Sequence, residues 1–186
     1  MINDFMQEVS DRIELKFKEM FILSDNGDRA ILADGRLIAL PSTMINFGMK
    51  FKFSTWQEWL DEMAKAKTHD LSEVYPFMFV NSIGVQESDD IVTFPTIIFA
   101  VPAPAGVGVK TTDRDSLSFR PLLNNFHRLF YDALHVNTAF SIADKGERVN
   151  HYFYGKYGLN GGDGNMFPTK TDCIEIKNLK LRIYKN

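Results

Sequence analysis

Apolar residues open the chain at helical spacing. Ile2, Phe5, Met6, Val9 and Ile13 share one face of a 3.6-residue period, which predicts an amphipathic helix. Past Arg12 the pattern blurs, because Ile13, Leu15 and Phe17 alternate with charged residues in a way that also suits a strand; the helix is taken to about Met20. From residue 21 to 53 the signals are β-type. Asn26-Gly27 and Asp34-Gly35 are tight-turn dipeptides, since both central positions of a type I′ turn need positive φ, and 29–33 with 36–40 reads as a hairpin. Ser54 with Gln57, or Thr55 with Glu58, has capping-box spacing. Trp56, Trp59, Leu60 and Met63 then make one apolar face of a short helix ending near Lys67.

Residues 75–80 and 94–101 are apolar runs without alternation, the pattern of central strands buried on both faces. Pro95 lacks a donor and belongs near the start of its strand. Residues 102–115, with two prolines and two glycines, read as a long loop or extended arm. Pro121 suits the first turn of a helix, and Phe119, Leu122, Leu123, Phe126, Leu129, Phe130, Ala133 and Leu134 trace its buried stripe. The glycine-rich segment 158–165 reads as loop. In the last strand Ile174 and Ile176 share one parity, whereas Leu179, Leu181 and Ile183 share the other. Side chains alternate faces strictly, so this slip predicts a β-bulge near Asn178. The pattern is that of an α+β fold: a mixed or antiparallel sheet packed by the N-terminal helix and a central amphipathic helix. Residues 1–186 form one domain, with 21–70 an added hairpin and short helix.

Composition narrows the class. Of 186 residues, 45% are hydrophobic and 24% charged, as in globular chains, and 16 Phe supply area for a dense core or for subunit contacts. A net charge of -3 with scattered signs argues against a protein built to grip phosphate backbones. The cluster Lys177, Lys180, Arg182 and Lys185 reads as a solvated strand face. Cys173 is the single cysteine, which excludes an intrachain disulfide and a thiolate zinc site and suits a reducing cytoplasm. The N-terminus has no signal-peptide pattern, and the longest apolar run, 97–101, is too short to span a bilayer; a soluble chain without membrane partners is expected.

Candidate chemistry is sparse. The glycines at 158–164 lack the following Lys-Ser or Lys-Thr of a phosphate loop. Asp25-Asn26-Gly27-Asp28 lacks calcium-loop spacing and reads as a turn. His127 and His135 lie eight residues apart on one helix, about 12 Å, too far to share a metal. His151 sits amid aromatics as a packed or interfacial residue. Cys173, between Asp172 and Glu175, is expected to have a raised pKa and a small, half-buried side chain. Tyr152, Tyr154 and Tyr157 with Lys156 are able to stack bases, but a wider basic groove is missing; sheet packing or a subunit contact is the simpler reading. No catalytic, metal or cofactor site is expected.

Four ordered pieces carry a resemblance: Tyr75-Pro76-Phe77-Met78-Phe79-Val80, Phe94-Pro95-Thr96-Ile97-Ile98-Phe99-Ala100, Ser118-Phe119-Arg120-Pro121-Leu122-Leu123, and residues 172–181 from Asp172-Cys173-Ile174 to Leu179-Lys180-Leu181. Over residues 71–184 this order resembles tailed-bacteriophage neck proteins of the tail-completion or tail-terminator type. The resemblance implies a virion structural protein, assembled in the host cytoplasm. Identical subunits, commonly six, would form a ring that caps tail growth and joins the tail tube to the head, with neighbouring neck or tail-tube proteins as partners. A closed ring needs head-to-tail contacts, for which Val107, Val109, Lys110 and Arg114 in the arm and Tyr152, Tyr154 and Tyr157 in the aromatic stretch are the candidate interface residues. A weakly acidic chain would let DNA pass without sticking. The alternative is a small soluble enzyme or nucleotide-binding domain with a site of scattered residues.

Overall fold

A computed structural model describes residues 2–23, 29–33, 36–39, 48–65, 75–102, 114–151 and 171–184. Helix α1 (Ile2–Glu19) runs through the ambiguous stretch after Arg12, because Ile13 and Phe17 remain on its buried face while Leu15 turns outward. The small strands β1 (Phe21–Leu23), β2 (Arg29–Ala33) and β3 (Arg36–Ala39) form an antiparallel sheet of their own, with the expected hairpin pairing Ala33 to Arg36. Both tight-turn dipeptides lie outside the described residues.

Strand β4 (Lys50–Ser54) lies outside that small sheet and pairs in parallel with β5 (Phe77–Asn81), so the expected insert 21–70 divides. Its first part builds the three-stranded sheet, and its second part joins the main one. Between β4 and β5 stands α2 (Trp56–Lys65), opened by a reciprocal capping box. The Glu58 backbone N–H donates to Thr55 Oγ1 at 3.2 Å, and the Thr55 N–H donates to Glu58 Oε2 at 3.0 Å. That bond to Thr55 holds the Glu58 carboxyl below its ordinary range.

The main sheet is mixed, seven-stranded, and organised around two long antiparallel strands, β7 (Ile91–Pro102) and β10 (Thr171–Ile183). Each is flanked on its outer side by two short strands in line. Beside β7 lie β5 and β6 (Gln86–Ser88); beside β10 lie β8 (Phe140–Asp144) and β9 (Glu147–His151). Helix α1, a π-helical segment at Asp115–Leu123 and helix α3 (Asn124–Val136) cover one face, with Phe17, Phe126 and Phe130 meeting Phe99, Ile174 and Ile176 in the principal core. On the other face Trp56 and Trp59 pack edge-on or tilted against Phe77 and Phe79. Burial on both faces explains why 75–80 and 94–101 lack alternation.

Two expectations about proline need correction. Pro95 lies inside β7, not near its start, and Pro121 lies inside the helical run, not in its first turn. The reasons are physical. Thr96 pairs with Lys177 and Phe94 with Leu179, so Pro95 faces Asn178, whose φ is 56°. On its other side Pro95 stands between the stretches of β7 paired with β5 and with β6. A residue without an N–H therefore costs no ladder bond there. The core side of β10 changes parity between Ile176 and Leu179, as expected near Asn178, and that of β7 changes in step between Phe94 and Ile97. The register against β8 shifts between Lys180 and Leu181. At Pro121 the π winding, in which the Asn124 N–H bonds the Phe119 carbonyl, accommodates the irregularity.

Candidate functional site

The expected interface residues fall in two groups. Val107, Val109, Lys110, Tyr152, Tyr154 and Tyr157 lie outside the described residues, as do most of the expected arm at 102–115 and the glycine-rich loop at 158–165. Arg114 is inside the protein. It immediately precedes the π segment, is 1% exposed, and its Nη1 lies 3.1 Å from Oδ2 of the fully buried Asp172. It is a core ion pair rather than part of an exposed arm.

Asp172 begins a row of polar groups along β10. On the opposite face of the sheet, Tyr75 and Thr171 share a hydrogen bond of 2.5 Å, and burial pushes the Tyr75 hydroxyl above its ordinary range. Cys173 is wholly buried rather than half-buried. Its thiol is pushed well up, first by burial and then by Glu175 and Asp172, so it is a poor nucleophile, as expected. Beyond it, His151 Nε2 lies 2.8 Å from Glu175 Oε2, with Lys177 Nζ 3.8 Å from the same oxygen. These pairs tie β9 to β10 and the π segment to the sheet. Among the described residues no group of three or more His, Cys, Asp or Glu side chains stands ready to hold a metal ion.

The outer surface is where contact chemistry collects. A groove of about 530 Å³ runs between α1 and α3, floored by Leu129 and Ala133 and edged by Leu15 and Val136, which are 59% and 67% exposed. Its rim carries Arg12, Lys16 and Arg128, which pair with Glu8, Glu19 and Asp132 respectively. At the groove Leu15 is an apolar residue on the outward side of α1, and Val136 ends α3 one turn past its buried stripe. A second feature is convex. Where β5 stops and β6 begins, Gly84 (φ 81°) turns the chain over Pro95 and leaves Ile83 62% exposed, with exposed Glu87 and Asp89 close by in sequence. Among the described residues, no helix is long and apolar enough to cross a membrane.

Comparison with family profiles, with curated proteins and with solved structures finds no match for this chain.

Strands β8 and β9 and the groove escaped the sequence reading. Phe140 and Ile142 alternate with the small residues Ala139, Ser141 and Ala143, a short strand signal; the groove leaves none, because its two walls are more than 100 residues apart.

Proposed function

We propose that the chain is a structural subunit that works by self-association, of the kind that forms the neck of a tailed bacteriophage. The resemblance over residues 71–184 suggests the setting: a ring, six subunits in the family it resembles, that ends the tail tube and joins it to the head within the virion. The observation that carries self-association is the pairing of two unlike surfaces on one subunit, the apolar groove between α1 and α3 and the Ile83 knob. Head-to-tail contacts require two different complementary patches, and repeated around an axis they close a ring. Burying Ile83 fully would contribute about 1.5–3 kcal/mol. Interfaces of about 800 Å² per partner are the norm for stable complexes, so the knob and groove form the centre of a broader contact.

Light scattering on the purified chain over a concentration series tests this reading. A discrete oligomer larger than a dimer is expected, and Leu15→Glu combined with Val136→Glu is expected to reduce it to monomer. Both positions are exposed, so the fold should survive the changes. A monomer at every concentration would remove the reading.

A further inference from the structure

The break between β8 and β9 faces a second concavity, of about 460 Å³, separate in character from the apolar groove. One wall is the outer face of α3, with His127, Tyr131 and His135 on successive turns; the other is the break itself, with Lys145, Gly146 and Arg148. Arg128 and Asp132 form the ridge it shares with the groove. The lining therefore holds three permanent cations against one carboxylate, and that carboxylate is already 3.2 Å from Arg128. In a chain of net charge -3 the lining is net positive, with Asp144 flanking it as a second carboxylate.

The walls are braced. Tyr131 Oη donates to the Lys145 carbonyl at 2.6 Å, fastening the break to the helix. The Gly146 N–H donates to Asp144 Oδ1 at 2.9 Å. Gly146 has φ 70°, and a Cβ there would stand 2.2 Å from the Lys177 carbonyl, so only glycine lets the chain press this closely onto β10. Arg148 is steadied by two neutral amides, Nε to Asn150 Oδ1 at 2.9 Å and Nη2 to Asn124 Oδ1 at 2.5 Å. Lys145 Nζ stands 5.6 Å from the centre of the Tyr131 ring. His135 Nδ1 donates to the Tyr131 carbonyl at 2.7 Å, which leaves Nε2 for another partner. The depression of the His127 imidazole to about 4, from burial and then from Arg148 and Lys145, agrees with a positive field in the concavity.

We propose that this concavity binds a phosphate group, carried by a free nucleotide or by a DNA backbone. Guanidinium and ammonium donors beside the His127 and His135 imidazoles meet the needs of a tetrahedral dianion or a phosphodiester. The inference stands apart from the neck reading: the concavity is lined by α3 and the β8–β9 break, and its failure would leave self-association untouched.

The test is a titration of the full chain followed by the imidazole NMR signals of His127 and His135. Inorganic phosphate, a mononucleotide and a short DNA duplex are added in turn, against chloride at matched ionic strength. Saturable shifts are expected, with the His127 midpoint rising from about 4 as the anion offsets Lys145 and Arg148. Response to phosphate and nucleotide assigns a free ligand; response to the duplex alone assigns the backbone. Either must weaken about tenfold for each charge-assisted bond lost in Lys145→Ala and Arg148→Ala. Arg182→Ala, outside the lining and paired with Asp90, should change nothing. Shifts that chloride reproduces, or that survive in the Lys145→Ala, Arg148→Ala double variant, would overturn the assignment.

Discussion

The Arg114–Asp172 pair shows what a single residue's sequence context conceals. Arg114 follows a proline- and glycine-rich stretch and reads as part of an arm, yet its partner lies 58 positions away on the central strand. Nothing local announces such a pair. Removing one member leaves the other charge buried, which costs about 3–5 kcal/mol, so Asp172→Ala should lose that much stability in urea denaturation. A loss below about 1 kcal/mol, the range of exposed pairs, would mean that water reaches the guanidinium. His127 makes a second residue-scale prediction. It is faced by Arg128, Asp132 and His135 on its own helix, by Lys145 at the break and by Arg148 on β9, while Asp144 acts on the neighbouring Tyr131. Its folded pKa is depressed from 6.5 to about 4, so the unfolded chain binds the proton first and stability falls as pH drops through that window. Discounted for partial exposure, the effect is about 1–2 kcal/mol. Urea midpoints measured between pH 7 and 4 should show it, and His127→Gln should flatten that part of the profile. An unchanged profile in the variant would assign the acid sensitivity elsewhere.

At the scale of elements, features encoded within a few residues were legible. Thr55 and Glu58 form the reciprocal cap their spacing predicts, and the parity change in the last strand falls at Asn178, where a positive φ replaces the expected bulge: the register against β7 is unbroken and shifts only against β8, between Lys180 and Leu181. What the sequence could not display is that this distortion runs across the sheet. Gly84 packs on Pro95, Pro95 faces Asn178, and Gly146 presses on the backbone beside Asn178. Four residues on separate segments solve one packing problem, and each alone resembles an ordinary turn or strand residue. Pro121 was misread for a related reason, since a proline reads as a helix start unless the helix changes its winding to admit it. Gly146→Ala combines positive φ with a contact that no backbone tolerates, and a loss of about 1–3 kcal/mol or more is expected in thermal unfolding. Gly48→Ala, whose Cβ would meet nothing nearer than 3.5 Å, serves as the control and should change little.

Across the whole molecule, the mixed sheet with α1, the π segment and α3 on one face and α2 on the other matches the α+β architecture expected from the apolar pattern, because burial on one or both faces is written directly in residue type. Surfaces are written there far less clearly. Leu15 and Val136 occur in two helices remote in sequence, and only their meeting makes a groove; Ile83 looks like any loop residue until its exposure is known. The central claim is that one copy's knob enters the next copy's groove, repeatedly and in one direction. Cross-linking tests this most directly. The native Cys173 is buried, so the double variant Ile83→Cys, Val136→Cys carries two accessible thiols at exposed positions. Treated with a short bismaleimide, it should give a covalent ladder ending at one ring-sized band, whereas either single variant should not progress beyond a dimer. A double variant that stays monomeric, or that stops at dimers, would contradict the head-to-tail account.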